Sequence, residues 1–139
     1  MISSYLSDIV YEDYRDLIEE ILEDGISFDY FCDYLEDTNK FVFTWSGKEI
    51  GFFTEELKPD GVEIHFMIKP EFRKYSMNAF RYVNNLYKNT KIYTSVFATH
   101  KHVCSVLEKI GFTLDKTEEN YYLRGGNTYD VFFYEREKL

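Results

Sequence analysis

Val62-Glu63-Ile64-His65-Phe66-Met67-Ile68-Lys69-Pro70-Glu71-Phe72-Arg73-Lys74-Tyr75-Ser76-Met77-Asn78-Ala79-Phe80 changes its period in the middle, and that change decides the fold. From Val62 to Ile68, Val62, Ile64, Phe66 and Ile68 alternate with Glu63, His65 and Met67, the period-2 signature of a strand with one apolar face. Pro70 closes the strand. Ala79, Phe80, Val83, Leu86 and Tyr87 then return to helical spacing, which predicts a helix over about 73–88. Ile92 to Phe97 reads as a buried strand. A strand, helix and strand of these lengths imply a crossover connection and a locally parallel pair.

Upstream, Phe41, Phe43 and Trp45, then Ile50, Phe52 and Phe53, flank Ser46-Gly47-Lys48 and read as a β-hairpin. Before it stand two helical patterns. Ile9, Val10, Tyr14, Leu17, Ile18, Ile21 and Leu22 form one apolar stripe stopped by Gly25. Phe28, Phe31, Cys32 and Leu35 form the other, with Ser27 as its N-cap and an end near Asn39. Downstream, Val103, Val106, Leu107 and Ile110 predict a helix ended by Gly111, followed by a strand at Phe112-Thr113-Leu114. Tyr121–Leu123 and Tyr129–Tyr134 then predict a closing hairpin around Arg124-Gly125-Gly126-Asn127. A short strand is also expected at Ile2–Leu6. The fold class is α/β: a mixed, partly parallel, twisted sheet of about six or seven strands with about four helices on its two faces. With 139 residues, no repeat and no linker, residues 1–139 are expected to form one domain.

The net charge of -9 argues against a nucleic-acid binder, which gains its affinity by neutralising phosphates. The charge is unevenly placed. Residues 1–40 hold twelve of the 25 acids, with only Arg15 and Lys40 against them. Residues 69–91 hold Lys69, Arg73, Lys74, Arg81, Lys88 and Lys91 against Glu71 alone, so a bound anion is expected there. Cys32 and Cys104 have no metal or disulfide spacing, and no metal site is expected. No apolar run reaches the roughly 18 residues of a membrane span. The expectation is a soluble, cytoplasmic protein.

The element order, the phrase Ile68-Lys69-Pro70-Glu71-Phe72-Arg73 at a strand end and Val106-Leu107-Glu108-Lys109-Ile110-Gly111-Phe112 after the next helix together resemble the GNAT superfamily of N-acyltransferases, over about residues 40–135. Within it, Glu63-Ile64-His65, Phe72-Arg73-Lys74-Tyr75 and Gly126-Asn127-Thr128-Tyr129-Asp130 are most similar to GNAT-like proteins encoded by tailed bacteriophages. That group includes acetyltransferases and virion-associated proteins. The resemblance implies an acetyl-CoA site in which amides at the start of the main helix hold the pyrophosphate, on Ile68, Arg73, Lys74, Tyr75, Ser76, Met77 and Asn78. Ser76 and Asn78 stand where the family has glycines.

For chemistry, the resemblance implies a base on the strand 62–68, with Glu63 and His65 as candidates, since acyl transfer to an amine needs a proton acceptor within hydrogen-bond reach. The family's acid, a tyrosine, aligns with Leu107, which has no proton to donate. The asparagine that opens that helix aligns with His100, and His100 or His102 is then expected to substitute. Tyr75, Tyr121 and Tyr122 are candidate walls of an acceptor cleft. Two functions follow as expectations. One is acyl-CoA-dependent N-acetylation of an amine acceptor with a degenerate cofactor loop. The other is a non-catalytic GNAT-like protein, in a virion or bound to a host factor, that acts by protein binding.

Overall fold

The computed structural model describes all 139 residues and contains seven strands in one sheet, ordered β1-β2-β3-β4-β5-β7-β6. The strands are β1 (Ile2–Leu6), β2 (Asn39–Trp45), β3 (Lys48–Lys58), β4 (Gly61–Ile68), β5 (Lys91–Phe97), β6 (Thr113–Arg124) and β7 (Asn127–Arg136). All neighbouring pairs are antiparallel except β4 and β5, the strands flanking the crossover, which run parallel. The helices are α1 (Arg15–Ile21), α2 (Phe28–Glu36), α3 (Ser76–Leu86) and α4 (Lys101–Lys109). None is long and apolar enough to cross a membrane.

Strand alternation sorts side chains into two cores. Phe43, Phe53, Val62, Ile64, Ile92 and Val96 face α3 and α4 and bury Ala79, Val83, Cys104 and Leu107. Val42 and Phe52 face the opposite way and bury Ile18, Leu22 and Leu35 of the α1–α2 region, with Met67 against them. Phe43 and Phe53 are fully buried, and each such ring contributes about 1.5–3 kcal/mol by leaving water. Ser27 caps α2 as its sequence predicts, its Oγ accepting from the Tyr30 amide at 3.1 Å.

Three elements differ from the sequence expectation. The first helical stripe begins as a 3-10 turn at Tyr11–Tyr14 before α1. The crossover helix likewise opens with a 3-10 segment, Pro70–Tyr75, and becomes α-helical only at Ser76. Two short predicted strands are one long strand, β6, because register shifts between Leu114 and Lys116 and between Glu118 and Tyr122 break its alternation and hide its continuity.

The helical layer on the α3–α4 side is fastened by a buried cation. Arg136 of β7 is 2% exposed and has no carboxylate partner; burial pushes its guanidinium pKa down. It donates instead to the carbonyls of Asn84 (2.7 Å), Tyr87 (2.5 Å) and Thr90 (2.8 Å) and to Asn84 Oδ1 (2.6 Å), at the C-terminal end of α3 where the helix dipole is negative. Asn84 Nδ2 donates in turn to the Ile110 carbonyl at the end of α4. Truncating Arg136 leaves several buried acceptors unpaired, each costing about 1–3 kcal/mol. Arg136→Met is therefore expected to lower the unfolding free energy by about 3 kcal/mol or more, read by urea denaturation; a loss below about 1 kcal/mol would show that the carbonyls find other donors.

Candidate functional site

The parallel ladder at the centre of the sheet is short. Only Gly61, Val62 and Glu63 pair with Lys91, Ile92 and Tyr93, and beyond them β4 and β5 part. Gly61 sets the closed end: a Cβ there would lie 2.3 Å from the Lys91 carbonyl oxygen, so only glycine permits the approach. Just past the ladder, Thr94 Oγ1 donates to the Ile64 carbonyl at 2.7 Å. On the α3–α4 side the floor of the splay is packed by Phe66, Phe80, Leu107, Ile110 and Phe112, around an apolar hollow of about 10 Å³. That is about one water's worth of room.

The opposite face at the closed end is polar. His65 Nε2 lies 3.2 Å from Glu63 Oε2, with the Glu63 side chain 26% and the His65 side chain 43% exposed. Across β3, Glu56 stands directly opposite Glu63 and Thr54 opposite His65. The His65 hydrogen bond draws the Glu63 carboxyl below its usual range, against the burial that opposes it. Tyr34 of α2 looks onto the same spot. Burial first, and the carboxylates of Glu56 and Glu63 second, push its phenol up and keep it protonated. On β5, Phe97 stacks on Tyr122 of β6 with ring centroids 4.1 Å apart.

The open end carries the positive charge. Arg73, Lys74, Lys101 and His102 are exposed around the N-termini of α3 and α4. His100, ring edge against Phe97 at 5.7 Å, has its imidazole pKa pushed down by burial and then by the neighbouring His102 and Arg73. Ser76 and Met77 are half-buried and Asn78 is exposed. The Ser76 amide donates to the Arg73 carbonyl within the 3-10 segment. Tyr75 turns away from this mouth and stacks on Trp45 at 4.4 Å, beside a concavity of about 270 Å³ that Trp45, Lys48, Glu71, Phe72 and Lys74 help to line.

No protein-family profile matches the sequence, and no curated protein matches it significantly. Solved structures do match in three dimensions. The ribosomal-protein-S18-alanine N-acetyltransferase of Escherichia coli superposes with a TM-score of 0.75 at 16% identity, over 99% of this chain and 94% of that one. An acetyltransferase of Bacillus subtilis, solved with CoA, gives 0.70 at 17% identity over 100% of both chains. The spermidine N-acetyltransferase of Vibrio cholerae, solved with CoA and spermine, gives 0.73 at 16% identity over 99% of this chain and 95% of that one. The fold is GNAT-like.

Placed on a GNAT-like frame, the candidate residues fall into two groups. Arg73, Lys74, Ser76, Met77, Asn78 and His100 gather at the open end, where the charge of Arg73 and Lys74 suits a bound anion. The 3-10 segment fits that group less well than a glycine loop does, because the Ser76 amide is already engaged. Ile68 ends β4 on the same side. Glu63 and His65 sit at the closed end, about 20 Å away by strand rise from Lys69 to Glu63. Tyr75 and Tyr121 lie outside both groups, Tyr121 being exposed against Phe133. Leu107 is 3% exposed and lines the mostly apolar hollow, so position 107 itself offers no hydroxyl. Sequence reasoning missed Tyr34 and Glu56; the lone signal was the polar tail of β3, where Glu56 follows two residues after Thr54.

A depressed folded-state carboxyl pKa adds stability above the unfolded value that is lost as pH falls through the folded value. His65→Ala leaves burial as the main influence on Glu63. Its carboxyl is therefore expected to titrate at higher pH than in the wild type when followed by carbon-detected NMR. An unchanged midpoint would mean that the Glu63–His65 contact does not persist in solution.

Proposed function

We propose that the chain is an acyl-CoA-dependent N-acetyltransferase acting on a primary amine. The observation that carries this reading is the Glu63–His65 pair placed where the central ladder ends and β4 leaves β5, on a fold shared along its whole length with acetyltransferases. Arg73 and Lys74, with the N-terminus of α3, are the groups that hold the phosphates, and Lys101 adds to the same field.

When bound, the cofactor supplies an acyl carbon activated as a thioester. The residues supply the proton handling. His65 Nδ1, the ring nitrogen that Glu63 leaves free, accepts the proton of the attacking amine, while Glu63 accepts from Nε2 at 3.2 Å, orients the imidazole and stabilises the imidazolium, as in a base held by a third group. The proton so held on His65 would then be available to a thiolate leaving group. A second donor at position 107 is then unnecessary, which accommodates Leu107. The acid-rich α1–α2 side suits a cationic acceptor.

A second reading has its own observation. Leu107 buried among apolar groups and a closed 3-10 turn at the phosphate position favour a fold retained for protein binding, in a virion or on a host factor. Calorimetric titration with acetyl-CoA separates the two. Micromolar binding that is abolished in Arg73→Glu, with Glu63→Gln and His65→Gln each lowering kcat on an amine panel by about 10²-fold or more, is the expected result. Silence at millimolar acetyl-CoA sinks the acyl-transfer reading and directs attention to protein partners.

A further inference from the structure

Trp45, the chain's only tryptophan, ends β2 at the tip of the β2–β3 hairpin. Ser46 and Gly47, with φ of +50° and +82°, make the two-residue turn, and the register then sets Lys48 directly opposite Trp45, so that both side chains leave the sheet on one face. The 3-10 segment Pro70–Tyr75 meets that face. Side chains three apart eclipse in a 3-10 helix, which puts Phe72 and Tyr75 in one row and Glu71 and Lys74 in the next. Tyr75 stacks on Trp45 with ring centroids 4.4 Å apart, and Phe72 follows at 6.4 Å from Tyr75. Lys74 Nζ lies 5.2 Å from the Tyr75 centroid, over the ring. The turn that engages the Ser76 amide thus assembles an aromatic wall on its other side.

The concavity of about 270 Å³ lies between the hairpin tip and this segment, with the three rings as its apolar wall and Ser46, Lys48, Glu71 and Lys74 as its polar one. That volume is just under the roughly 300–1,000 Å³ of sites for drug-sized molecules, so it suits a ligand of one ring system and one charged group. All three rings are half-buried and keep part of their surface open. Two exposed cations face one exposed acid. Neither Lys48 nor Lys74 is tied into an ion pair, whereas Lys69, just before the segment, lies 3.7 Å from Glu49.

We propose that this concavity is a ligand site of its own, apart from the Glu63–His65 pair, and that it takes a small planar aromatic ring bearing a carboxylate or a phosphate. The ring packs against Trp45 and Tyr75, and the anion meets Lys48 and Lys74. Glu71 opposes that anion and limits the charge the site accepts. The inference does not depend on the acyl-transfer reading. Lys74 borders the mouth as well, so Lys48 is the residue that tells the two sites apart.

Because Trp45 is the sole tryptophan, its fluorescence reads this site directly. The titrants are adenosine monophosphate, phenyl phosphate and benzoate, with adenosine and inorganic phosphate as the two halves. A saturable change is expected with at least one aromatic anion, and binding at least about tenfold weaker for either half alone. Lys48→Glu is expected to weaken that binding at least about tenfold and to leave acetyl-CoA affinity, measured by calorimetry, within about twofold. Glu71→Gln is expected to tighten it about twofold or more, a gain that misfolding cannot produce. Quenching that rises linearly without saturation for every aromatic anion is collisional and overturns the site. Adenosine binding as tightly as its monophosphate overturns the role of the lysines. Loss of acetyl-CoA binding together with that of the aromatic anion in Lys48→Glu overturns the separateness of the site. Saturable binding of the aromatic anion by a chain that does not bind acetyl-CoA supports the site and counts against acyl transfer alone.

Discussion

The whole molecule is organised around a weak seam. Three register positions of parallel ladder are all that join the four-stranded half, β1 to β4, to the three-stranded half, β5 to β7. So short a ladder, of the slightly less stable parallel kind, would not by itself hold two halves of a sheet in register. The seam is held by side chains. At the closed end, Asp60 accepts from Tyr93 Oη at 2.8 and 2.9 Å and lies 3.9 Å from Lys91, which also reaches Glu135 at 3.4 Å and Glu137 at 3.2 Å. On the α3–α4 side, Arg136 grips the end of the helix that follows β4. On the opposite side, Asp24 accepts from the Gly125 and Gly126 amides, and Arg124 and Tyr122 donate to the Leu22 and Ile21 carbonyls, which ties the end of α1 to the β6–β7 turn.

These clamps explain why the splay opens at one end only. Lys91, Asp60 and Arg136 act where Gly61 lets the strands touch, and the Asp24 tie acts on a single face at the other end. What remains unclamped is the mouth between the N-termini of α3 and α4. That mouth is where the exposed cations Arg73, Lys74 and Lys101 collect. A helix start then adds a positive dipole end to positive side chains. Architecture and charge thus prepare the same place for an anion.

Much of this was legible in the sequence wherever the signal is local. The alternation of Val62 to Ile68, the helical spacing of Ala79 to Tyr87 and the Ser27 cap each depend on residues a few positions apart, and each has its expected structure. The phrase at Pro70–Tyr75 misled in one respect: proline at the first position is compatible with an α-helix start, and nothing in the residues distinguishes a 3-10 turn from it. Asp24 and Arg136 were illegible as a matter of principle. Their partners lie 46 to 52 residues away for Arg136 and about a hundred away for Asp24, and a single sequence carries no record of which distant carbonyls or amides a side chain will meet. The paired Gly125-Gly126 marked a turn, but not what its amides would hold.

The placement of charge gives the candidate site a direction. The acids of residues 1–40 decorate the α1–α2 side, and Glu56 and Glu63 continue that sign onto the sheet, whereas Arg73, Lys74 and Lys101 stand exposed at the mouth. Opposite fields on the two approaches to one splay sort ligands before any contact is made, since an anion and a cation are each drawn to their own side and repelled from the other's. Under the acyl-transfer reading, Glu63 and His65 stand where those two approaches converge. The like-charged pair Glu56 and Glu63, unfavourable across a strand pair in isolation, then has a use: an ammonium group arriving between them relieves the repulsion, and His65, held through Nε2 by Glu63 at 3.2 Å, keeps its other ring nitrogen free to take the proton.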